Sequence, residues 1–337
     1  MGNIRLGVIG CGEIAKSMLL VCKLTRGISV SALCDINEDR LNKQGRRFKK
    51  AKLFTDYNEM LSVAEIDAVY IALPHYLHYP VMKRALESNK HILCEKPITI
   101  KEEDALDVVS EARERNLKIA VNYQYRYDNN CYRLVNAVRD GHLGHINFIR
   151  CSVPWYRDES YFVNAPWHAS LEKSGGGTLL TQGSHLLDII LWMADSGIEE
   201  VRSTCRKLKF TEAETEDFCT AELRLQNGTL VQFMSTMASP VEEAVRLEVF
   251  GSNGYGEYIK KLGSKVRFKG VRPPAYKYGR PAVHAVQKGL RDFRDSIISG
   301  KKHLCSGEDA IEVLRAVNQI YGSSEGVYRE GVSKKEG

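Results

Sequence analysis

The chain has 337 residues, 43% of them hydrophobic, and its 48 basic and 42 acidic residues leave a formal net charge of +6. That length exceeds one ordinary compact domain and that apolar share can bury a full core, so two domains are expected. The mild charge shows no long block of one sign and argues against nucleic acid, and no window approaches the roughly 18 apolar residues of a membrane span.

The opening MGNIRLGVIG enters a strand pattern without the regions of a signal peptide, so a cytoplasmic protein with no membrane partner is expected. The nine cysteines are scattered and contain no C-x-x-C pair. Neither a disulfide framework nor a bound metal is expected from them.

In the first third, apolar runs alternate with helical periodicity, the pattern of a doubly wound parallel α/β sheet. IRLGVIG, SVSALCD, AVYIAL, HILCE and KIAVNY read as buried strands of a six-stranded sheet, in which HILCE is the fifth. The first turn reads G10-C-G12-E-I-A15. Gly10 and Gly12 permit a sharp turn and close approach to a pyrophosphate, and Ala15 packs the following helix on the strand. Gly10, Gly12, Glu13 and Ile14 are therefore the expected pyrophosphate turn. Asp35 ends the second strand about twenty residues on, where a carboxylate accepts ribose hydroxyls and repels a 2′-phosphate, which favours NAD over NADP. A strand-turn-helix without ligand is the competing reading.

Ligands of such sheets lie beyond the carboxyl ends of the strands. The fourth strand ends in LPHYLH, offering Leu73, Pro74, His75 and His78, and the fifth ends in Glu95 and Lys96 before Pro97. These are expected around the cofactor, with a structural ion pair as the alternative role for Lys96. In TIKEEDALDVV a capping box from Thr99 to Glu102 is expected to start a helix.

Further on, SGGGTLLTQGSHLLDIILWM, residues 174 to 193, joins three glycines to a helix apolar nearly all round. The glycines permit close approach of a ligand, the helix should be buried, and Thr181 and His185 fall on one helical face. Asn227-Gly228 signals a hairpin turn. The basic stretch VRFKGVRPPAYKYGR reads as a solvated loop, with an anion-binding rim as the sharper alternative.

Taken together, GVIGCGEIA, YIALPHYLHYP, HILCEKP, NYQYRY, GGGTLLTQGSHLLD and LEVFGSNG resemble the glucose-fructose oxidoreductase / inositol dehydrogenase (Gfo/Idh/MocA) family from Ile4 to about Gly326. The resemblance implies an N-terminal Rossmann domain, 1–124, and a C-terminal α/β domain, 125–337, with a large open, mostly antiparallel sheet that often mediates homodimers or homotetramers. It implies NAD, hydride transfer from a secondary alcohol, Lys96 on the substrate oxygen and His185 as general acid/base. Thr181 stands where the family more often carries Asp or Asn, and threonine carries no charge at neutral pH.

The segment VPWYRDESYFVNAPWHASLEKSGGG resembles the branch that oxidises C3 of nucleotide-linked N-acetylhexosamines or their uronic acids, although His168 stands where Arg is commoner. That resemblance implies Arg126, Trp155, Tyr156, Arg157, Tyr161, Trp167, Gln182 and His185 around a carbohydrate or nucleotide sugar. Aromatic faces would stack on sugar or base, and Arg157 would fork onto a diphosphate. An inositol or free-sugar dehydrogenase, an NAD-dependent glycosidase, a non-catalytic NAD-binding regulator and a flat protein-binding module remain alternatives.

Overall fold

Runs such as IRLGVI and HILC are apolar on both faces, and such strands persist only in a sheet covered on both sides. The computed structural model describes residues 3–282 and 284–326; residues 327–337 of the expected second domain lie outside the described residues. Its first sheet contains β1 (Ile4–Ile9), β2 (Ile28–Cys34), β3 (Lys52–Phe54), β4 (Ala68–Ile71), β5 (His91–Cys94) and β6 (Ile119–Val121). All pair in parallel in the order β3-β2-β1-β4-β5-β6. The order reverses between β1 and β4, so the loops leaving these strands open at the switch point.

The crossovers are α1 (Glu13–Lys23), α2 (Glu38–Gly45), α3 (Tyr57–Val63), α4 (His78–Glu87) and α5 (Glu102–Glu114). The expected capping box of α5 does not form. Lys101 is its N-cap residue, and the buried Thr99 hydroxyl donates to the Lys101 carbonyl at 2.6 Å, a local turn that replaces the cap.

The chain divides into two compact units, one of residues up to Gln124 with Gly279–Ile311, the other of Tyr125–Tyr278 with the chain from Glu312 on. The segment Gly279–Ile311 therefore leaves the expected C-terminal domain for the first unit. Its helix Ala285–Ser299 is amphipathic and sets Val286, Leu290 and Phe293 into the cluster that contains Met18, Leu19 and Cys22 of α1. The extended stretch after it bonds to β6, Val121 N–H donating to the Cys305 carbonyl at 3.0 Å.

The second unit holds β7 (Ile146–Pro154), β8 (Ile198–Arg206), β9 (Phe218–Leu225), β10 (Leu230–Thr236), β11 (Val245–Gly251), β12 (Tyr255–Lys260), β13 (Ser264–Lys269) and β14 (Ser324–Gly326). They form one mixed sheet in the order β13-β12-β11-β7-β10-β9-β8-β14, antiparallel except at β7/β10 and β8/β14. Along β9, Cys219, Ala221, Leu223 and Leu225 are buried in alternation with more accessible residues, the mark of a sheet with one face in a core. The Asn227-Gly228 pair joins β9 to β10: Gly228 takes φ +84°, and the Asn227 side chain accepts from Thr229 N–H. Helices α6 (Asn129–Arg139), α7 (Ser160–Val163), α8 (Leu171–Ser174) and α9 (Ser184–Ala194) belong to this unit, as does the helix Gly307–Ser323 from Glu312 on, with α6 against α9, β12 and β13. Among the described residues no helix is long and apolar enough to cross a membrane.

Candidate active site

In the first unit the turn after β1 is shaped for an anion. Gly10 adopts φ +93°, and a β-carbon there would lie 2.2 Å from the Ala72 carbonyl oxygen, so close backbone approach of β4's exit loop excludes any side chain. A β-carbon on Gly12 would meet nothing within 4 Å. Gly12 is the N-cap of α1 and no side chain caps the helix, so this cradle offers backbone donors and the positive end of the dipole.

Asp35 Oδ2 accepts from Cys11 N–H at 2.7 Å and Oδ1 from Asn37 N–H at 2.8 Å. The carboxylate thus ties the glycine turn to the loop after β2 while retaining lone pairs for two hydroxyls. Glu13 is exposed and paired with Lys16, and Ile14 is exposed at the start of α1. The cradle and this carboxylate fit NAD: Gly12 would receive the pyrophosphate and Asp35 a ribose.

At the ends of β4 and β5 the expected residues separate into different roles. The Glu95 carboxylate is buried and accepts through Oε1 from Tyr70 O–H at 2.5 Å and Asn122 Nδ2–H at 2.7 Å. Burial raises its pKa against the lowering by those bonds and by Lys96. Any cofactor contact of Glu95 therefore falls to Oε2. Lys96 is half-buried beside the carboxylate, and the Lys96–Pro97 peptide is cis.

His78 departs from the expectation of a cofactor contact. It is fully buried in the first turn of α4, its Nδ1 lies 2.7 Å from the Pro97 carbonyl, and its Nε2 lies 3.0 Å from the Leu73 carbonyl. Both ring nitrogens are turned into the protein. His75 is buried at the head of the short 3₁₀ turn His75–Leu77 that follows Pro74.

In the second unit the glycines serve the protein itself. A β-carbon on Gly177 would lie 1.8 Å from the Glu216 carbonyl oxygen, and one on Gly176 would lie 2.2 Å from the Tyr321 hydroxyl. The completely buried Glu216 carboxylate accepts from Gly177 N–H at 2.8 Å, Leu179 N–H at 2.9 Å and Tyr321 O–H at 3.0 Å, and its carbonyl accepts from Thr178 N–H. A carboxylate from a remote loop thus caps this helix, and the expected approach of a ligand to these glycines is replaced by approach of Glu216 and Tyr321. Neither was expected from the sequence, because Glu216 and Tyr321 lie 39 and 144 residues from Gly177 and no local pattern links them to it.

The capped segment runs through a π turn, Leu179–Gly183, into α9. Such turns frequently sit at functional sites. Thr181 and Gln182 lie in it, and His185 opens α9, buried, with its ring centroid 5.4 Å from that of Tyr125. Thr181 Oγ1 lies 2.6 Å from the Gly177 carbonyl and 2.5 Å from the Gln182 amide. One hydroxyl proton satisfies both when it goes to Gly177 and the amide presents its NH₂.

Arg126, expected at the substrate, is held by a residue of α9. It is buried, donating to Asp188 through Nε at 3.0 Å and Nη2 at 2.6 Å, and it lies over the Trp192 ring. Its charge is spent on a buried partner in α9.

The remaining expected substrate residues do gather. Arg157 lies 4.8 Å from the Trp155 ring centroid and 5.3 Å from that of Tyr161. Tyr161 stacks on His168 at 4.3 Å, Trp167 lies against the same imidazole, and burial raises the Tyr161 pKa against bonds to Thr181 and Gln182. Lys209, which the sequence did not flag, lies over Tyr156 and donates to the Arg157 carbonyl. Its turn is fixed by buried Asp217, whose carboxylate accepts from the N–H groups of Leu208, Lys209 and Phe210.

Residues 4–123 match the family model described as "Oxidoreductase family, NAD-binding Rossmann fold", and residues 132–257 match the "GFO/IDH/MocA C-terminal domain". The chain belongs to the Gfo/Idh/MocA family. It is an NAD-binding oxidoreductase. A relative over most of its length is the myo-inositol 2-dehydrogenase of Thermotoga maritima, 25% identical over 91% of this chain and 92% of that protein. Two solved structures share the fold. The aldose-aldose oxidoreductase of Caulobacter crescentus, complexed with glycerol, has a TM-score of 0.86 at 20% identity and covers 98% of each chain. The WlbA dehydrogenase of Bordetella pertussis, in complex with NADH and UDP-GlcNAcA, has a TM-score of 0.84 at 23% identity, over 98% of this chain and 97% of that one.

Two predictions follow from these placements. Arg126→Met breaks the buried ion pair with Asp188 and should cost about 3–5 kcal/mol of stability; an unaltered urea midpoint would show that the pair does not hold the fold. A carboxylate that receives the ribose repels a 2′-phosphate, so NAD should bind at least about tenfold tighter than NADP, about 1.4 kcal/mol. Isothermal titration of both dinucleotides checks this, and equal affinities would point to Arg40, in the first turn of α2, as a 2′-phosphate partner.

Proposed function

We propose that this protein oxidises a secondary hydroxyl of a carbohydrate, with C3 of a UDP-linked N-acetylhexosamine or its uronic acid as the leading substrate. The observation that carries the reading is the cation-bearing aromatic platform of Trp155, Arg157 and Tyr161, extended through Tyr161 to His168, on which it stacks and from whose Nδ1 its hydroxyl lies 3.1 Å. Aromatic faces suit sugar and base, and a guanidinium beside a lysine suits a diphosphate. The Bordetella pertussis neighbour, crystallised with NADH and UDP-GlcNAcA, supports the same class. A free-sugar or inositol substrate is the second reading, favoured by the Thermotoga maritima relative.

The chemistry needs a proton acceptor and a cation at the substrate oxygen. Bound NAD supplies the hydride acceptor. We assign Lys96 to bind and polarise the hydroxyl through Nζ, which stabilises alkoxide character, and the His185 imidazole to remove the proton. Thr181 contributes by hydrogen bonding within the π turn and brings no third charge.

NADH formation measured against a panel of free and nucleotide-linked sugars tests the reaction. Lys96→Ala and His185→Ala should each lower turnover about a hundredfold or more with NAD affinity retained, and the double variant should lose less than the product of the two. Near-normal turnover of a folded Lys96→Ala enzyme would make the lysine a structural ion pair. Arg157→Ala should raise the Michaelis constant for a nucleotide sugar and spare any free sugar; no change for the nucleotide sugar would favour the inositol reading.

A further inference from the structure

His78 was expected to touch the cofactor, yet an imidazole with no exposed surface sits between two backbone carbonyls, Pro97 at 2.7 Å from Nδ1 and Leu73 at 3.0 Å from Nε2. One of those carbonyls belongs to the residue after Lys96, and the other to the loop leaving β4. Burying a ring of this polarity is unfavourable unless its N–H finds an acceptor, and here the acceptors within reach are carbonyls of the two loops it joins. We propose that His78 is the positioning residue for Lys96: its single N–H, on Nδ1, holds the Pro97 carbonyl and with it the Lys96–Pro97 turn, while Nε2 packs against the Leu73 carbonyl at the exit of β4. The proposal rests on the reading of Lys96 as the substrate-polarising lysine.

The environment agrees. Burial and the nearby Lys96 charge lower the pKa of His78 while its carbonyl bonds raise it, which places the lysine close enough for each to feel the other. A neutral ring has one N–H to donate, and the shorter contact assigns it to Nδ1 and Pro97.

An amide can replace either nitrogen separately. In His78→Asn the side-chain nitrogen falls near the place of Nδ1 and keeps the Pro97 bond; in His78→Gln it falls near Nε2, where it can reach the Leu73 carbonyl, and the Pro97 bond is lost. The readout is trace acetylation of the full-length protein by acetic anhydride, with the Lys96 peptide measured by mass spectrometry against exposed Lys101. A half-unit shift in the lysine pKa changes the reactive free-amine fraction about threefold. His78→Asn should keep the Lys96 to Lys101 ratio within about twofold of the parent, and His78→Gln should move it by about threefold or more. Both variants should have similar thermal stability, since each retains one buried bond to a loop carbonyl. Equal ratios in the two variants overturn the proposal.

Nitrogen-15 spectra of histidine-labelled parent protein give a second measurement that needs no variant. The ring with the slowest-exchanging proton should carry it on Nδ1, and a ring protonated on Nε2 alone overturns the proposal. Neither measurement depends on turnover, so this assignment can fail while Lys96 proves catalytic, or hold while Lys96 proves structural.

Discussion

Taking a carboxylate out of water is unfavourable by several kcal/mol unless donors surround it. In this protein that requirement organises the loops. Asp35, Glu216 and Asp217 are buried, and each is met by backbone N–H groups of the loop it controls: the glycine turn after β1, the Gly177–Leu179 turn and the 208–210 turn. Glu95 meets the same requirement with Tyr70 and Asn122. The segments that carry the proposed chemistry have little preference of their own for one shape, and the acids supply it. Each acid is also a point of failure, because removing it strands several backbone donors at once.

The same view separates two kinds of glycine. Gly10, Gly176 and Gly177 are small because protein atoms stand where a β-carbon would be, whereas Gly12 faces open space at the head of an uncapped helix. Only the second kind leaves room for a ligand. Glu216 has filled the helix end near His185, whereas the helix end at Gly12 stands open.

Charged residues sort in the same way. Arg126 looks like a substrate ligand in sequence and is closed by Asp188. Arg157 and Lys209 carry their charges on aromatic faces instead, where a cation stays available to a second partner.

Much of the architecture is legible in the chain by itself. The apolar runs of β1, β2, β4, β5 and β6, the turn from Gly10 to Ala15, Asp35 at the end of β2 and Lys96 at the end of β5 are local signals, readable because period and turn chemistry act over a few residues. What only the tertiary structure decided is which polar residues are closed off and by whom. Nothing near Arg126 announces Asp188, nothing near Gly177 announces Glu216 or Tyr321, and nothing near α1 announces the helix Ala285–Ser299 that covers it. A polar side chain reads as solvated until its partner arrives, and here the partners arrive from tens to hundreds of residues away, brought by burial of apolar faces with no preference for neighbours in sequence.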